Sequence, residues 1–242
     1  MFTYIWHTLF FDPVYNTLVF FIDTIRNGDV GLAIIATVVV VKMILLPLSV
    51  KAAKTQKTMR EIEPKLKDIK ERFKDDREGQ ARETMMIYKD AKLNPFASVF
   101  LVFLQIPIVI ALYYSVARGG GVHLPGINTD ILYSFITAPG AVTMHFLGFI
   151  DIAAKSIWLA GLAGITQYIF TNMTLPKMAP RVEGAPSDMK EDFMRNMNLQ
   201  MKYVMPVLIA FIAYTLSAAI ALYFVVSNLV AIAQEFYVRK HR

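Results

Sequence analysis

The chain of 242 residues contains no cysteine, which excludes disulfides, thiolate metal sites, cysteine nucleophiles and redox motifs. The sequence motifs of zinc proteases, serine hydrolases and P-loop ATPases are also missing. The four histidines are scattered along the chain without the spacing of metal ligands. We therefore expect a protein that is not an enzyme and has neither a cofactor nor a metal site.

Charged residues are scarce in several long segments, and 55% of all residues are hydrophobic. The mean hydropathy of +0.45 exceeds what the core of a water-soluble protein requires. A helix needs about 20 mostly apolar residues to cross a hydrocarbon layer of about 30 Å, and five stretches qualify. The sequence therefore predicts an all-α polytopic membrane protein with five core transmembrane helices, an N-terminal interfacial helix and a cytoplasmic helical hairpin.

The chain divides into nine predicted segments. They are an interfacial amphipathic segment at 1–28, a first transmembrane helix at 29–50, a cytoplasmic coiled-coil hairpin at 51–93, a second transmembrane helix at 94–118, an extracytoplasmic loop at 119–155, a third transmembrane helix at 156–175, a cytoplasmic loop at 176–202, a fourth and a fifth transmembrane helix at 203–236, and a cytoplasmic basic tail at 237–242. The apolar stretches 5–25 and 131–152 are interrupted by polar residues and proline, which favours positions at the membrane surface. Whether either stretch crosses the membrane is left open.

The distribution of basic residues predicts the orientation in the membrane. Residues 51–93 hold 13 Lys and Arg, whereas residues 119–154 hold none. Loops that stay in the cytoplasm carry the excess of Lys and Arg. We therefore expect a multi-pass protein of the cell membrane with its N-terminus outside and its C-terminus in the cytoplasm.

The predicted hairpin has apolar residues at alternating spacings of three and four, which indicates a coiled-coil seam. The apolar positions are Met59, Ile62, Leu66, Ile69 and Phe73 on its first helix, and Met85 lies on its second. The many charges between them have two interpretations of equal weight. They form a solvated surface, or they contact anionic lipid or a ribosome.

Lys42 is a charge inside an otherwise apolar helix, about 18 Å from the outer end of that helix. A lysine at the centre of a span costs about 2.5 to 3.5 kcal/mol on insertion scales, so it requires water, a partner or a route to the surface. The predicted spans hold no acid that could neutralise it, apart from Glu235 at the end of the last span. A lysine that reaches the membrane surface and a lysine in a water-filled cavity are the two interpretations, and we favour the cavity.

Uncharged polar residues recur in the other predicted spans and are candidates to line such a cavity. They are Gln105, Thr166, Gln167, Thr171, Asn172, Tyr214, Ser227 and Asn228. Together these side chains could form a wet groove that binds a substrate. Individually, each could instead form a hydrogen bond to a neighbouring helix, which is the commoner use of a lone amide in a bundle.

Two blocks of the sequence are distinctive: GLAIIATVVVVKMILLPLSV followed by the basic hairpin, and ETMMIYKDAKLNPFASVFLVFLQIPIVIALYYSV. They resemble the first core span, and the hairpin exit and second span, of the YidC-type membrane protein insertases. The resemblance covers nearly the whole chain. The end of the chain, including Ser227 and Asn228, is similar as well. In the family an arginine stands where this sequence has Lys42, so the charge is kept but the bidentate fork is lost.

The resemblance implies an ATP-free insertase with a hydrated, positively charged intramembrane groove. Its substrates would be nascent membrane proteins, whose short extracytoplasmic tails cross the groove before their hydrophobic spans enter the lipid bilayer. A ribosome and a Sec-type translocon are further implied partners, with no nucleic-acid recognition beyond ribosome contact. Two rival hypotheses are a small-solute anion transporter or channel with Lys42 as its anion site, and an inert scaffold whose hairpin recruits partners.

Overall fold

The computed structural model describes residues 1–91, 96–118, 121–175 and 195–240. Its helices are α1 (Phe2–Trp6), α2 (Asp12–Thr24), α3 (Val30–Arg72), α4 (Arg77–Asp90), α5 (Phe96–Ala117), α6 (Ile157–Thr174), α7 (Met205–Leu216) and α8 (Ala218–Lys240). A π-helical turn, His7–Phe11, joins α1 to α2, and another, Gln200–Val204, leads into α7. Two short antiparallel strands, β1 (His145–Phe146) and β2 (Ile150–Asp151), are an addition to the predicted all-α fold.

Three helices in the described part of the chain are long and apolar enough to cross a membrane. They are Val30–Met59 within α3, Arg195–Leu216, which contains α7, and Ala218–Lys240, which is α8. Phe103–Ala117 within α5 is a shorter apolar helix. A polytopic helical membrane protein is thus confirmed, while the count of five spans stays a prediction.

The residues form two compact units. The first comprises Met1–Ile44 and Ile106–Phe236, and the second comprises Leu45–Gln105 and Tyr237–Arg242. In the first unit, α2 contributes a fully buried face that includes Tyr15, Leu18 and Val19. Small residues at the start of α8 are buried to the same degree, which permits close helix contact.

Hydrogen bonds attach the N-terminal helix of the first unit to the segment that the sequence predicts as an extracytoplasmic loop. The buried Asn16 amide donates to the carbonyl of Ile131 at 2.9 Å, and its oxygen accepts from the backbone N–H of Tyr133 at 2.7 Å. The backbone N–H of Asn128 donates to the Tyr15 hydroxyl at 2.9 Å. This part of the loop therefore packs on α2 as folded structure.

The second unit contains the charged part of α3 and all of α4. Ion pairs four residues apart run along α3, namely Lys57 with Glu61, Glu63 with Lys67, and Asp68 with Arg72. The side chain of Asp76 caps α4 by accepting from the backbone N–H of Gly79 at 2.9 Å. Helix α3 ends at Arg72, just before the charged run at 74–77, and α4 begins with the last residue of that run, Arg77. The predicted coiled-coil pairing of the two helices remains a prediction.

Candidate functional site

Lys42 lies on α3, twelve residues after the helix begins at Val30, and its side chain is half-buried. The helix forms here because an uninterrupted apolar run follows Asp29, whose carboxylate caps the first turn by accepting from the N–H of Leu32 at 3.0 Å. Within the ranges that the structure describes, the Lys42 ammonium has no hydrogen bond and no ion pair. The charge is therefore available to an external anion or to water.

Asn228 is placed deep between α8 and α6. Its amide nitrogen donates to the Thr166 hydroxyl at 3.2 Å and to the Ala163 carbonyl at 3.5 Å, and Asn228 is only 7% exposed. These contacts are hydrogen bonds between neighbouring helices, which is the commoner use of a lone amide in a bundle and the alternative to lining a wet groove. Asn228 thus ties α8 to α6 through two polar groups of α6.

Gln167 and Thr171 lie one turn apart on α6 and contact each other. The Gln167 amide nitrogen donates to the Thr171 hydroxyl at 3.2 Å, with Gln167 half-buried and Thr171 buried. Gln167 follows Thr166 directly in the sequence, but its side chain points about 100° further around the helix. Helix α6 therefore makes two separate polar contacts, Gln167 with Thr171 and Thr166 with Asn228.

The remaining predicted groove residues have different surroundings. Ser227 is buried on α8 beside Asn228, and Gln105 is half-buried on α5. Tyr214 is 42% exposed near the end of α7, where the Lys155 ammonium lies 5.8 Å from the centre of its ring. A cation over a tyrosine ring at this distance is a weak attraction that suits a helix end.

The predicted hairpin residues divide by exposure within the second unit. Ile62 and Ile69 are buried, Met59, Leu66 and Phe73 are half-buried, and Met85 is exposed. The pattern agrees with an inward apolar face on α3. Met85 instead lines a surface hollow with Tyr88, Lys70 and Arg77.

Thr166, one of the polar residues of the third predicted span, is the hydrogen-bond partner of Asn228. Sequence reasoning missed a second polar residue that organises the first unit. Asp29 is buried, and its second carboxylate oxygen accepts from the N–H of Leu147 at 2.9 Å. The available signal for Asp29 was its position directly before an apolar run, which is typical of a helix cap.

Acidic and histidine side chains do not cluster in the described ranges, where no group of three or more could hold a metal ion. Every fully buried side-chain nitrogen or oxygen in those ranges has a hydrogen-bond partner. The hydrogen bonds of Gln167 and Asn228 therefore serve contacts within and between helices. Long apolar helices with such internal contacts define the molecule as a helical multi-pass membrane protein.

Comparisons with known proteins agree with this class and narrow it. A family model described as 60Kd inner membrane protein matches residues 21–242. The membrane protein insertase YidC of Clostridium tetani is 33% identical over 219 residues, which cover 90% of this chain and 86% of the relative. That of Oceanobacillus iheyensis is 29% identical over 241 residues, covering 98% and 84%. That of Pelobacter propionicus is 29% identical over 235 residues, covering 97% of this chain but 39% of the relative.

The chain belongs to the 60Kd inner membrane protein family. The resemblance to YidC-type insertases, found from the residues alone, is thereby confirmed. A multi-pass protein of the cell membrane is the location that the family and the three long apolar helices support.

Proposed function

We propose that this protein is a membrane protein insertase in which Lys42 receives the acidic residues of a substrate's tail. The observation that carries the proposal is the placement of this cation: it is half-buried on an apolar helix and has no counter-charge among the residues that the structure describes. The names of the relatives support the same role.

The electrostatic step follows from the low dielectric of the surroundings. A carboxylate near an ammonium is attracted far more strongly at a partly buried site than in bulk water. Since α3 carries no acidic residue from Val30 to Met59, an incoming carboxylate would be the counter-charge. The contact would be transient, because Lys42 is a single point charge without the bidentate geometry of arginine.

A polar wall on α6 and α8 would hydrate the path of the substrate tail. Gln167 is half-exposed, so its amide oxygen can accept from water or from a peptide N–H, while Thr171 and Asn228 hold the wall in place. We assign Ser227 and Tyr214 to the same path. A hydrated path lowers the cost of moving a polar tail through the bilayer.

Release of the substrate would be driven by its own hydrophobic span. Each central Leu, Ile, Val or Phe contributes roughly 0.3 to 0.6 kcal/mol on entering lipid, so about 20 such residues complete the transfer without ATP. The membrane potential would assist the outward movement of an acidic tail. We assign contacts with ribosome, translocon or anionic headgroups to the basic surface of the second unit.

The test compares Lys42→Ala, Lys42→Arg and Lys42→Glu in vesicles that insert a single-span substrate with an acidic tail. We expect Lys42→Ala and Lys42→Glu to lower insertion at least tenfold and Lys42→Arg to retain it, because only the charge is needed. Lys51→Ala, which removes an exposed lysine from the same helix, is the matched control and should insert normally.

Equal insertion by all four variants would refute the role of Lys42 and favour an inert scaffold. Loss of a small-anion flux in Lys42→Ala, with insertion unchanged, would favour a transporter instead. A substrate with a neutral tail should be insensitive to Lys42→Ala, which separates a charge effect from misfolding.

A further inference from the structure

A small β-hairpin in the first unit is attached to the beginning of α3. Its strands β1 and β2 pair His145 with Asp151 and Phe146 with Ile150. Before β1, the Thr143 carbonyl accepts from the backbone N–H of Val30 at 3.1 Å, and the Thr143 N–H donates to the Gly28 carbonyl at 2.8 Å. The hairpin therefore starts at the level where α3 starts.

The tip of the hairpin is held at that same level. One oxygen of Asp29 accepts from Leu32 in the first turn of α3, and the other accepts from Leu147 at the hairpin tip. The Phe146 ring packs where a Cβ on Gly31 would lie, since that atom would come within 2.3 Å of the ring. The turn thus cannot move away from α3 without breaking both contacts.

The end of the hairpin is hydrogen-bonded to the start of α8 and leads directly into α6. After β2, the Ile152 carbonyl accepts from the N–H of Ala219, and the Ala154 carbonyl accepts from the N–H of Ala218 at 2.7 Å. These alanines begin α8, and α6 begins a few residues later along the chain at Ile157. The starts of α3, α6 and α8 therefore meet at one end of the unit, and the hairpin lies among them.

The tip presents apolar side chains that the described part of the chain leaves exposed. Leu147 is 55% exposed and Phe149 is 71% exposed, although both belong to a turn where polar residues are usual. Leu147 has a φ of +53°, a conformation in which Asn, Asp or Gly is the ordinary choice and a bulky residue is an outlier. Neither burial in the protein nor backbone preference accounts for a leucine here.

The first turn of α6 adds two more exposed apolar residues at this end of the unit, Ile157 and Trp158. Tryptophan is enriched where a membrane meets water, because its ring is apolar and its N–H is polar. The hairpin tip and the first turn of α6 thus both expose large apolar side chains, namely Leu147, Phe149, Ile157 and Trp158. No residue in the stretch 119–154 carries a positive charge.

We propose that Leu147 and Phe149 insert into the headgroup boundary of the lipid bilayer and fix the depth of α3 in the membrane. The partner is a lipid surface, recognised through burial of apolar side chains at the level set by Asp29. Fixing α3 at its first turn also fixes the depth of Lys42, twelve residues further along. The inference needs α3 to span the membrane and does not depend on the proposed insertase activity.

Single cysteines test the proposal, because the chain has none of its own. A nitroxide is attached to Leu147→Cys or Phe149→Cys in vesicles of phosphatidylcholine and phosphatidylglycerol. Its relaxation by oxygen, which concentrates in lipid, is compared with relaxation by water-soluble nickel(II) ethylenediaminediacetate. We expect oxygen to dominate at both positions.

Two further labels serve as controls, one for a position in water and one for a position in lipid. Asp130→Cys is exposed in the same loop and should be relaxed mainly by nickel, while Val207→Cys is exposed on α7 and should be relaxed mainly by oxygen. Nickel relaxation at 147 and 149 equal to that at 130 would place the tip in water and overturn the proposal. Protection from both reagents would mean a protein contact, such as a second copy of the chain, and would overturn it equally.

Discussion

At the scale of single residues, the contact of Asn228 with Thr166 shows how a polar group is used inside this bundle. Both side chains are at least nine-tenths buried, and a hydrogen bond joins α8 to α6 across 62 positions of sequence. Because lipid offers no alternative partner, such a bond stabilises the pairing of two helices. The same amide is thereby withdrawn from direct solvation of a substrate.

We expect the double-mutant cycle of Asn228→Ala and Thr166→Val to give a coupling free energy of about 0.6 kcal/mol and at most about 1.7 kcal/mol. The measurement is reversible unfolding in mixed micelles. Asn172→Ala removes an exposed amide from α6 and is the control, with an expected effect below about 0.5 kcal/mol. A coupling of zero would show that the two side chains do not stabilise the helix pair.

At the scale of elements, α3 changes character along its length while remaining one helix of 43 residues. Its first half is apolar, and its second half carries ion pairs four residues apart on an exposed surface. Such pairs contribute about 0.3 to 0.5 kcal/mol each and weaken with salt. The second half is therefore stabilised mainly by helix propensity and by burial of Ile62 and Ile69.

Helix α4 depends on a single cap at its start. We expect Asp76→Ala to destabilise α4 by about 1 kcal/mol, because the N–H of Gly79 loses its acceptor. Amide hydrogen exchange of residues 77–90 in the whole protein measures this loss. Asp75→Ala changes the neighbouring carboxylate, which does not cap the helix, and should leave exchange unchanged. Equal acceleration in both variants would attribute the effect to net charge.

At the scale of the whole molecule, the placement of the basic residues predicts an orientation in the membrane with the N-terminus outside and the C-terminus in the cytoplasm. We expect Gly140→Cys to react with a membrane-impermeant maleimide from outside the cell, and Lys74→Cys to react only after the membrane is opened. Both positions are exposed, and a Cβ at residue 140 meets no atom within 4 Å. Detergent-solubilised protein controls for reactivity. The reverse pattern would invert the proposed topology.

Much of the helical architecture could be predicted from the sequence, because apolar runs, Pro95 and the charged run after Phe73 mark where helices begin and end. The helical run before α7 begins at Arg195, within the segment 176–202 that was predicted as a loop. Hydropathy could not predict that start, since the residues before 203 are mixed in polarity. Gly31 and Phe146 belong to distant segments, so only coordinates reveal their contact.

The candidate site could also be predicted only in part, because a local pattern reveals single residues but not their distant partners. Lys42 stands out in any apolar run, whereas the partner of Asn228 depends on how α6 and α8 are rotated against each other. Eight polar residues meet the same compositional criterion, and the structure joins four of them in two separate pairs that involve α6, Gln167 with Thr171 and Thr166 with Asn228. The hydrogen bond between Asp29 and Leu147 joins residues 118 positions apart, which no local sequence pattern can predict.

The hydrogen bond between Asp29 and Leu147 has a consequence for folding during translation. Asp29 acquires its second hydrogen bond only when Leu147 has been made, 118 residues later, and Asn16 waits 115 residues for Ile131. Until then, both buried polar groups lack their distant acceptor or donor. A chain arrested before residue 131 would lack both of these hydrogen bonds around the start of its first apolar helix. Its N-terminal region should therefore be cut by protease faster than in the finished molecule.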